Sequence, residues 1–274
     1  MRIVWLNGAL VDEVDARISP FDHAVTTGDG VFETVRVVRG RPFAPTRHLA
    51  RLEASASALG LPAPPPQTLS AAMQDLIDAT AMTAGKLRIT VTGGPAGLGS
   101  ARGDGPTTVL VAAEEETVWP PTTDVAIVSW TRNENGALAG VKSISYADNV
   151  RALAAAQRVG ASEALFANTR GELCEGTGTN VFCVLDGVLM TPPLSSGCLD
   201  GVTRRLVVEV ADVTERAIPI GDLHRASEAF LTSTTRDVHP IRAVDDTVLA
   251  ECPGPHTRAA AAAFAAVVAA DLDP

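Results

Sequence analysis

Lysine is nearly absent from this chain. Lysine and arginine together number 22, of which two are lysines, Lys86 and Lys142, and twenty are arginines. Tyrosine occurs once, at Tyr146, and aromatic residues make up only 4% of the chain. Positive charge is in deficit, with 32 acidic side chains and a formal net charge of −10. The arginines form no stripe, so no nucleic-acid partner is expected, because phosphates need a basic footprint. No apolar run is long enough to span a bilayer, and "MRIVWLNGALVDEVD" turns acidic without an apolar stretch, so neither a membrane span nor a signal peptide is expected. The four cysteines, Cys174, Cys183, Cys198 and Cys252, lack CxxC spacing, which points to reduced thiols in a cytoplasmic protein. His23, His48, His224, His239 and His256 are scattered, and no metal site is expected from them.

What is present is an ordinary globular composition, 46% hydrophobic and 20% charged over 274 residues, enough for one large or two modest domains. "RIVWLNGALV" and "VFETVRVVRGRPF" read as β-rich runs, the latter folding back around Gly40 as an antiparallel hairpin. "PTRHLARLEASASALGL" places Leu49, Leu52, Ala56 and Leu59 at helical spacing with Gly60 as a stop, and a second helix is predicted near residues 68–83. "KLRITVTGG" and "TTVLVAAEE" are strands around the loop "GGPAGLGSARGDGP", which fits either a substrate lid or a solvated hairpin loop. "EEETVWPPTTD" is the best linker candidate. Strands alternate with helices beyond it, so the expected fold is α/β (α+β) in two parts: a small domain over 1–118, a linker over 119–124 and a larger domain over 125–274.

Three constellations carry chemistry. Lys142 follows the small residues "LAGV"; apolar surroundings lower an ammonium pKa and make the amine a nucleophile and Schiff-base former. Glu175, between Cys174 and Gly176 and ahead of the apolar "NVFCVL", is expected to be part-buried and to need a cationic partner. The turn Asp200-Gly201 opens a helix whose free amides at Val202 and Thr203 suit an anion, and "FLTSTTRDVHP" adds the hydroxyls of Ser233, Thr234 and Thr235. With Arg51 on its helix, these turns would hold one phosphate. A Schiff-base lysine, a buried glutamate and a phosphate cradle are what pyridoxal 5′-phosphate requires.

In order and spacing, "GDGVFETVRVVRG", "HLARLEASASALGL", "VKSISYADNVRALAAAQRVGASEAL", "GELCEGTGTNVF", "SGCLDGVTR" and "EAFLTSTTRDVHPI" resemble the fold type IV pyridoxal-phosphate enzymes of the class IV aminotransferase family. That resemblance implies a two-domain enzyme with its active site between the domains, a homodimeric assembly, and amino acids and 2-oxo acids as substrates. It implies that Lys142 forms the internal aldimine and shuttles the Cα proton, and that Glu175 keeps the pyridine nitrogen protonated. Arg51, Val202, Thr203 and Thr234 correspond to the phosphate donors, and Tyr146 either reaches the cofactor's phenolic oxygen or packs a helix. "STTRDVHPI" and "KSISYADNVRA" are closest to the D-amino-acid transaminases, so a D-specific transaminase with ping-pong kinetics is expected. Aminodeoxychorismate lyase and branched-chain L-amino-acid aminotransferase are the alternatives. The familiar D-specific enzymes carry a tyrosine where this chain has Phe32 and a histidine that the loop after "TVTGG" lacks. Arg88, alternating with Leu87 and Ile89 so that it shares a polar strand face with Thr90, is the expected substrate-carboxylate clamp, and Arg102 the second candidate.

Overall fold

The computed structural model describes residues 2–274, a mixed α/β chain that divides into two compact units. The first comprises residues 1–117, 141–146 and 271–274; the second comprises 118–140 and 147–270. This differs from the expected continuous domains. Residues 141–146 group with the first unit because their main chain pairs with its sheet, and residues 118–124 group with the second because they lead into its strand at Thr123–Arg132.

The sheet of the first unit is built from β1 (Ile3–Leu6), β2 (Ala9–Asp12), β3 (Gly30–Val38), β4 (Arg41–Pro42), β5 (Ala84–Thr92) and β6 (Val109–Glu114), in the order β2-β1-β6-β5-β3-β4. β3 and β4 make the hairpin expected around Gly40, with Val38 opposite Arg41. A short α1 (His23–Thr26), which sequence periodicity is too brief to reveal, precedes β3. α2 (Pro45–Ala58) buries Leu49, Leu52 and Ala56 as the spacing predicts, and Gly60 turns out of it at φ +64°. α3 (Pro66–Thr80) starts slightly earlier than predicted, because proline is accommodated in a first helical turn, and stops at Ala81 in the left-handed region. Val31, Val35 and Val37 of β3, Leu87, Ile89 and Val91 of β5, and Val109 and Val111 of β6 form one core with the two helices.

Two distant segments complete this unit. Residues 141–145 lie along the edge of β3: the Phe32 amide donates to the Lys142 carbonyl (3.0 Å) and the Ile144 amide to the Gly30 carbonyl (2.9 Å), with Val31 and Ser143 bridged. Gly30 permits this approach, since a Cβ there would lie 2.6 Å from the Val91 carbonyl oxygen and 2.9 Å from Ile144 Cδ1. Asp273 supplies the cap that α2 lacks locally: its carboxylate accepts from the Thr46 amide (3.0 Å) and hydroxyl (2.6 Å), while Ala44 at the N-cap makes no side-chain bond.

The sheet of the second unit contains β7 (Thr123–Arg132), β8 (Glu163–Asn168), β9 (Leu173–Gly176), β10 (Asn180–Leu185), β11 (Val188–Thr191), β12 (Thr214–Glu215), β13 (Glu228–Ser233) and β14 (Asp237–Val244), in the order β12-β11-β10-β13-β14-β7-β8-β9, with β15 (Thr247–Val248) paired to β14. α4 (Ala147–Arg158) packs Ala152 and Ala156 against Ala126, Ala164 and Phe166. α5 (Val202–Val210) buries Val202, Leu206 and Val207, and α6 (Pro255–Ala270) buries Ala260 and Phe264. The four cysteines are free thiols, and burial pushes Cys183 up to about 12.

Candidate active site

In the first unit the geometry starts from β3. Successive side chains of a strand point to opposite faces, so Phe32 and Thr34 face away from the helices, beside Thr90 and Arg88 of β5, which pair with them in register. Lys142 reaches the same ring from the strand edge. Its Nζ stands 4.3 Å from the Phe32 centroid, and Arg88 Cζ stands 3.6 Å from it. Tyr146 meets Phe32 edge-on, with centroids 5.2 Å apart. Lys142, Phe32, Arg88 and Tyr146 therefore form one cluster, with a primary amine and a guanidinium both against one apolar ring. The Lys142 amide donates to Ser55 Oγ of α2 at 3.2 Å, so α2 fixes the backbone of the lysine.

Arg51 lies on the helix side of β3. It forks onto Glu33, Nε to Oε1 at 2.7 Å and Nη2 to Oε2 at 2.8 Å, and His48 Nδ1 meets Oε2 at 2.7 Å. Glu33 was not singled out from sequence, although a glutamate in the inward row Val31, Val35, Val37 was a visible signal. Arg102 is committed elsewhere: Nε and Nη2 both bond Asp29 at 2.6 Å, and Nη1 donates to the Leu59 carbonyl at 2.6 Å. That fork holds the Asp29 carboxyl below its ordinary range and gives Arg102 the role of a loop fastener in this conformation. Lys86, the other lysine, pairs with Glu114 at 2.8 Å and donates to the Thr117 hydroxyl at 3.1 Å.

The second unit builds a different set. Glu175 on β9 is part-buried, with 15% of its side chain exposed, and has the cationic partner its burial demands: Arg132 Nε at 3.2 Å. Its other oxygen accepts from the Leu199 amide at 2.9 Å. Arg132 is steadied in turn by Asn149 Oδ1 at 2.7 Å and by the Phe166 ring at 4.3 Å. The loop after Glu175 is gathered by buried Glu163, which accepts from the Thr177 amide (3.0 Å) and hydroxyl and from the Thr179 hydroxyl (3.1 Å).

Leu199 also ties Glu175 to the start of α5. Its carbonyl accepts from Asn180 Nδ2 at 2.8 Å, and a Cβ on Gly201 would collide with Asn180 Oδ1, so glycine there leaves the Asn180 side chain in place. Gly201 leaves the first turn of α5 without any side-chain cap. Asn180 pairs with Thr232 on β13, and the strand ends at Ser233, so Thr234 leaves the sheet at the end where Val202 and Thr203 enter their helix. An uncapped helix N-terminus, a buried Thr203 and a hydroxyl turn make a donor set that fits a phosphate, and Glu175 nearby fits a protonated ring nitrogen.

Comparison with known proteins agrees. Residues 30–244 match the family model for amino-transferase class IV. The branched-chain-amino-acid aminotransferase of Salmonella typhimurium is 30% identical over 282 residues, covering 95% of this chain and 91% of that protein. The D-alanine aminotransferase of Bacillus licheniformis is 29% identical over 270 residues, covering 93% of each. Among solved structures, the branched-chain aminotransferase of Thermoproteus uzoniensis with norvaline superposes with a TM-score of 0.91 at 30% identity, covering 97% of this chain and 94% of that one. Another branched-chain enzyme, solved with pyridoxamine 5′-phosphate, reaches 0.91 at 27% identity. The chain belongs to the class IV aminotransferases, and its cofactor is pyridoxal 5′-phosphate.

Proposed function

We propose that this enzyme transfers the amino group of an L-amino acid with an aliphatic side chain to a 2-oxo acid. The observation that carries the reading is the Phe32 wall, with Lys142 Nζ at 4.3 Å and Arg88 at 3.6 Å. An apolar surface beside a cation and an amine suits a substrate that is hydrocarbon at one end and carboxylate at the other. The branched-chain relatives support the branched choice, and the branched-chain enzyme solved with N-(5′-phosphopyridoxyl)-L-glutamate supports the L-configured one; the D-alanine relative and the "STT" turn support a second reading, D-alanine.

Bound pyridoxal phosphate supplies an electron sink for the pair released when the substrate Cα–H bond breaks. The remaining work falls to the chain. Lys142 Nζ would hold the cofactor and would then take and return the Cα proton. Glu175 keeps the pyridine nitrogen protonated. The amides of Val202 and Thr203, the hydroxyls of Thr203 and Thr234, and Arg51 bind phosphate. Arg88 orients the substrate carboxylate, Phe32 packs its side chain, and Tyr146 serves the cofactor's phenolic oxygen. Amino donor and acceptor take turns at one site, giving ping-pong kinetics.

The test is a single half-reaction. Addition of L-leucine alone to the holoenzyme is expected to replace the visible band of the bound aldehyde form with that of pyridoxamine phosphate. A response to D-alanine and none to L-leucine would reverse the stereochemical assignment. A band that recovers without a 2-oxo acid, with pyruvate released from aminodeoxychorismate, would make the chain a lyase. Arg88→Ala is expected to raise the KM for the amino acid by ~10- to 100-fold, the loss of a charge-assisted hydrogen bond, with kcat much less affected; an unchanged KM would remove Arg88 from the site. We read the enzyme further as a cytoplasmic homodimer, a state that sedimentation equilibrium tests directly.

A further inference from the structure

Glu33 is the one charged side chain in an otherwise apolar row of β3, with 0% exposure. A valine at that place would continue the core made by Val31, Val35 and Val37. An unpaired carboxylate there costs several kcal/mol, so its presence needs a compensating role. Its oxygens are committed on one side only, to α2. Arg51 donates side-on from Nε and Nη2, and His48 donates to Oε2 from Nδ1. Burial by itself would raise the Glu33 pKa, but Arg51 and His48 outweigh it and hold the carboxyl far below its usual range. For His48, burial is the largest influence and lowers its pKa; an ionised Glu33 can only accept, so the hydrogen between them is on His48 Nδ1.

Two parallel bonds fix both the plane and the rotation of a guanidinium, which one bond does not. The same pair of elements also fixes Lys142. Ser55, one turn beyond Arg51 on α2, accepts the Lys142 amide, and Phe32, the neighbour of Glu33, donates to the Lys142 carbonyl. β3 and α2 thus set Arg51 on one face of the strand and Lys142 at its edge.

We infer that Glu33 is a positioning residue whose buried carboxylate holds Arg51 in the orientation that binds the cofactor phosphate. The inference rests on the phosphate role proposed for Arg51. Glu33→Gln has nearly the same shape, but its amide group presents N–H where Arg51 also presents N–H, and the fork cannot form.

The measurement is a pair of titrations of the full-length chain freed of cofactor, one with pyridoxal 5′-phosphate and one with pyridoxal, followed by absorbance. Only the first ligand carries the phosphate. Glu33→Gln is expected to weaken pyridoxal phosphate at least ~10-fold, about 1.4 kcal/mol, while pyridoxal binds as to wild type. General damage would weaken both ligands alike, and an unchanged ratio of the two affinities overturns the inference. Arg51→Ala separates the two claims. If it leaves the ratio at the wild-type value, the phosphate role of Arg51 fails. If it lowers the ratio and Glu33→Gln does not, only the role of Glu33 fails. In the Arg51→Ala background Glu33→Gln should change the ratio no further. Should the glutamine variant not fold, Glu33→Asp, which withdraws the carboxylate from Arg51, goes through the same titrations with the same two outcomes.

Discussion

Lys142→Ala and Lys142→Arg are both expected to abolish transamination, with kcat falling by ~10⁴-fold or more, the scale on which removal of a covalent nucleophile is felt. The arginine variant is the sharper of the two. Arginine keeps the positive charge over Phe32 but cannot be deprotonated in a protein, so it can neither form the covalent link nor take a proton from Cα. The fold should be untouched, because what seats residue 142 is main chain: its carbonyl accepts from Phe32 and its amide donates to Ser55. Steady-state kinetics alongside thermal unfolding therefore separates chemistry from stability. A variant turning over near the wild-type rate would end the assignment of Lys142.

The second large effect is expected at Glu175. Glu175→Gln keeps one oxygen, enough for either the Leu199 amide or Arg132 Nε but not both, because its N–H₂ then faces the other donor. What it loses is the negative charge that favours a proton on the pyridine nitrogen. Without that proton the ring is a poor acceptor of the electron pair left at Cα, and kcat should drop by ~100- to 1,000-fold, as for other preorganised electrostatic groups. The KM for amino acid should stay near wild type, and the lost contact should lower the melting temperature modestly. A glutamine variant with the wild-type kcat would reduce Glu175 to the counter-ion of Arg132.

The parts legible in the sequence were those whose signal is local. The helix at Pro45–Ala58 announces itself by Leu49, Leu52 and Ala56 at helical spacing, and Arg88 by its alternation with Leu87 and Ile89. Lys142 stood out by scarcity, and Glu175 by a charge set against an apolar strand. Tertiary partners were hidden because nothing near them in the chain encodes them. Arg132 was one of twenty arginines, and only the fold selects it for Glu175. Arg102 looked available for substrate in a glycine-rich loop, but Asp29 and Leu59 occupy it. The order of motifs identified the family; the substrate did not follow, since lysine, glutamate and phosphate donors are common to enzymes that differ in what they transform.

The way the chain threads its two units constrains how it can be made and cut. Residues 118–140 must be synthesised before Lys142 can reach β3, and α2 waits for Asp273 before its first turn is capped. During translation the first unit stays unfinished until residue 274 has emerged, although most of its sequence precedes residue 118. No single cleavage point yields it whole: a fragment ending at residue 117 would keep the β3 edge and lack the segment that carries Lys142. Sequence contiguity and structural contiguity part company here, and Lys142 sits where they do.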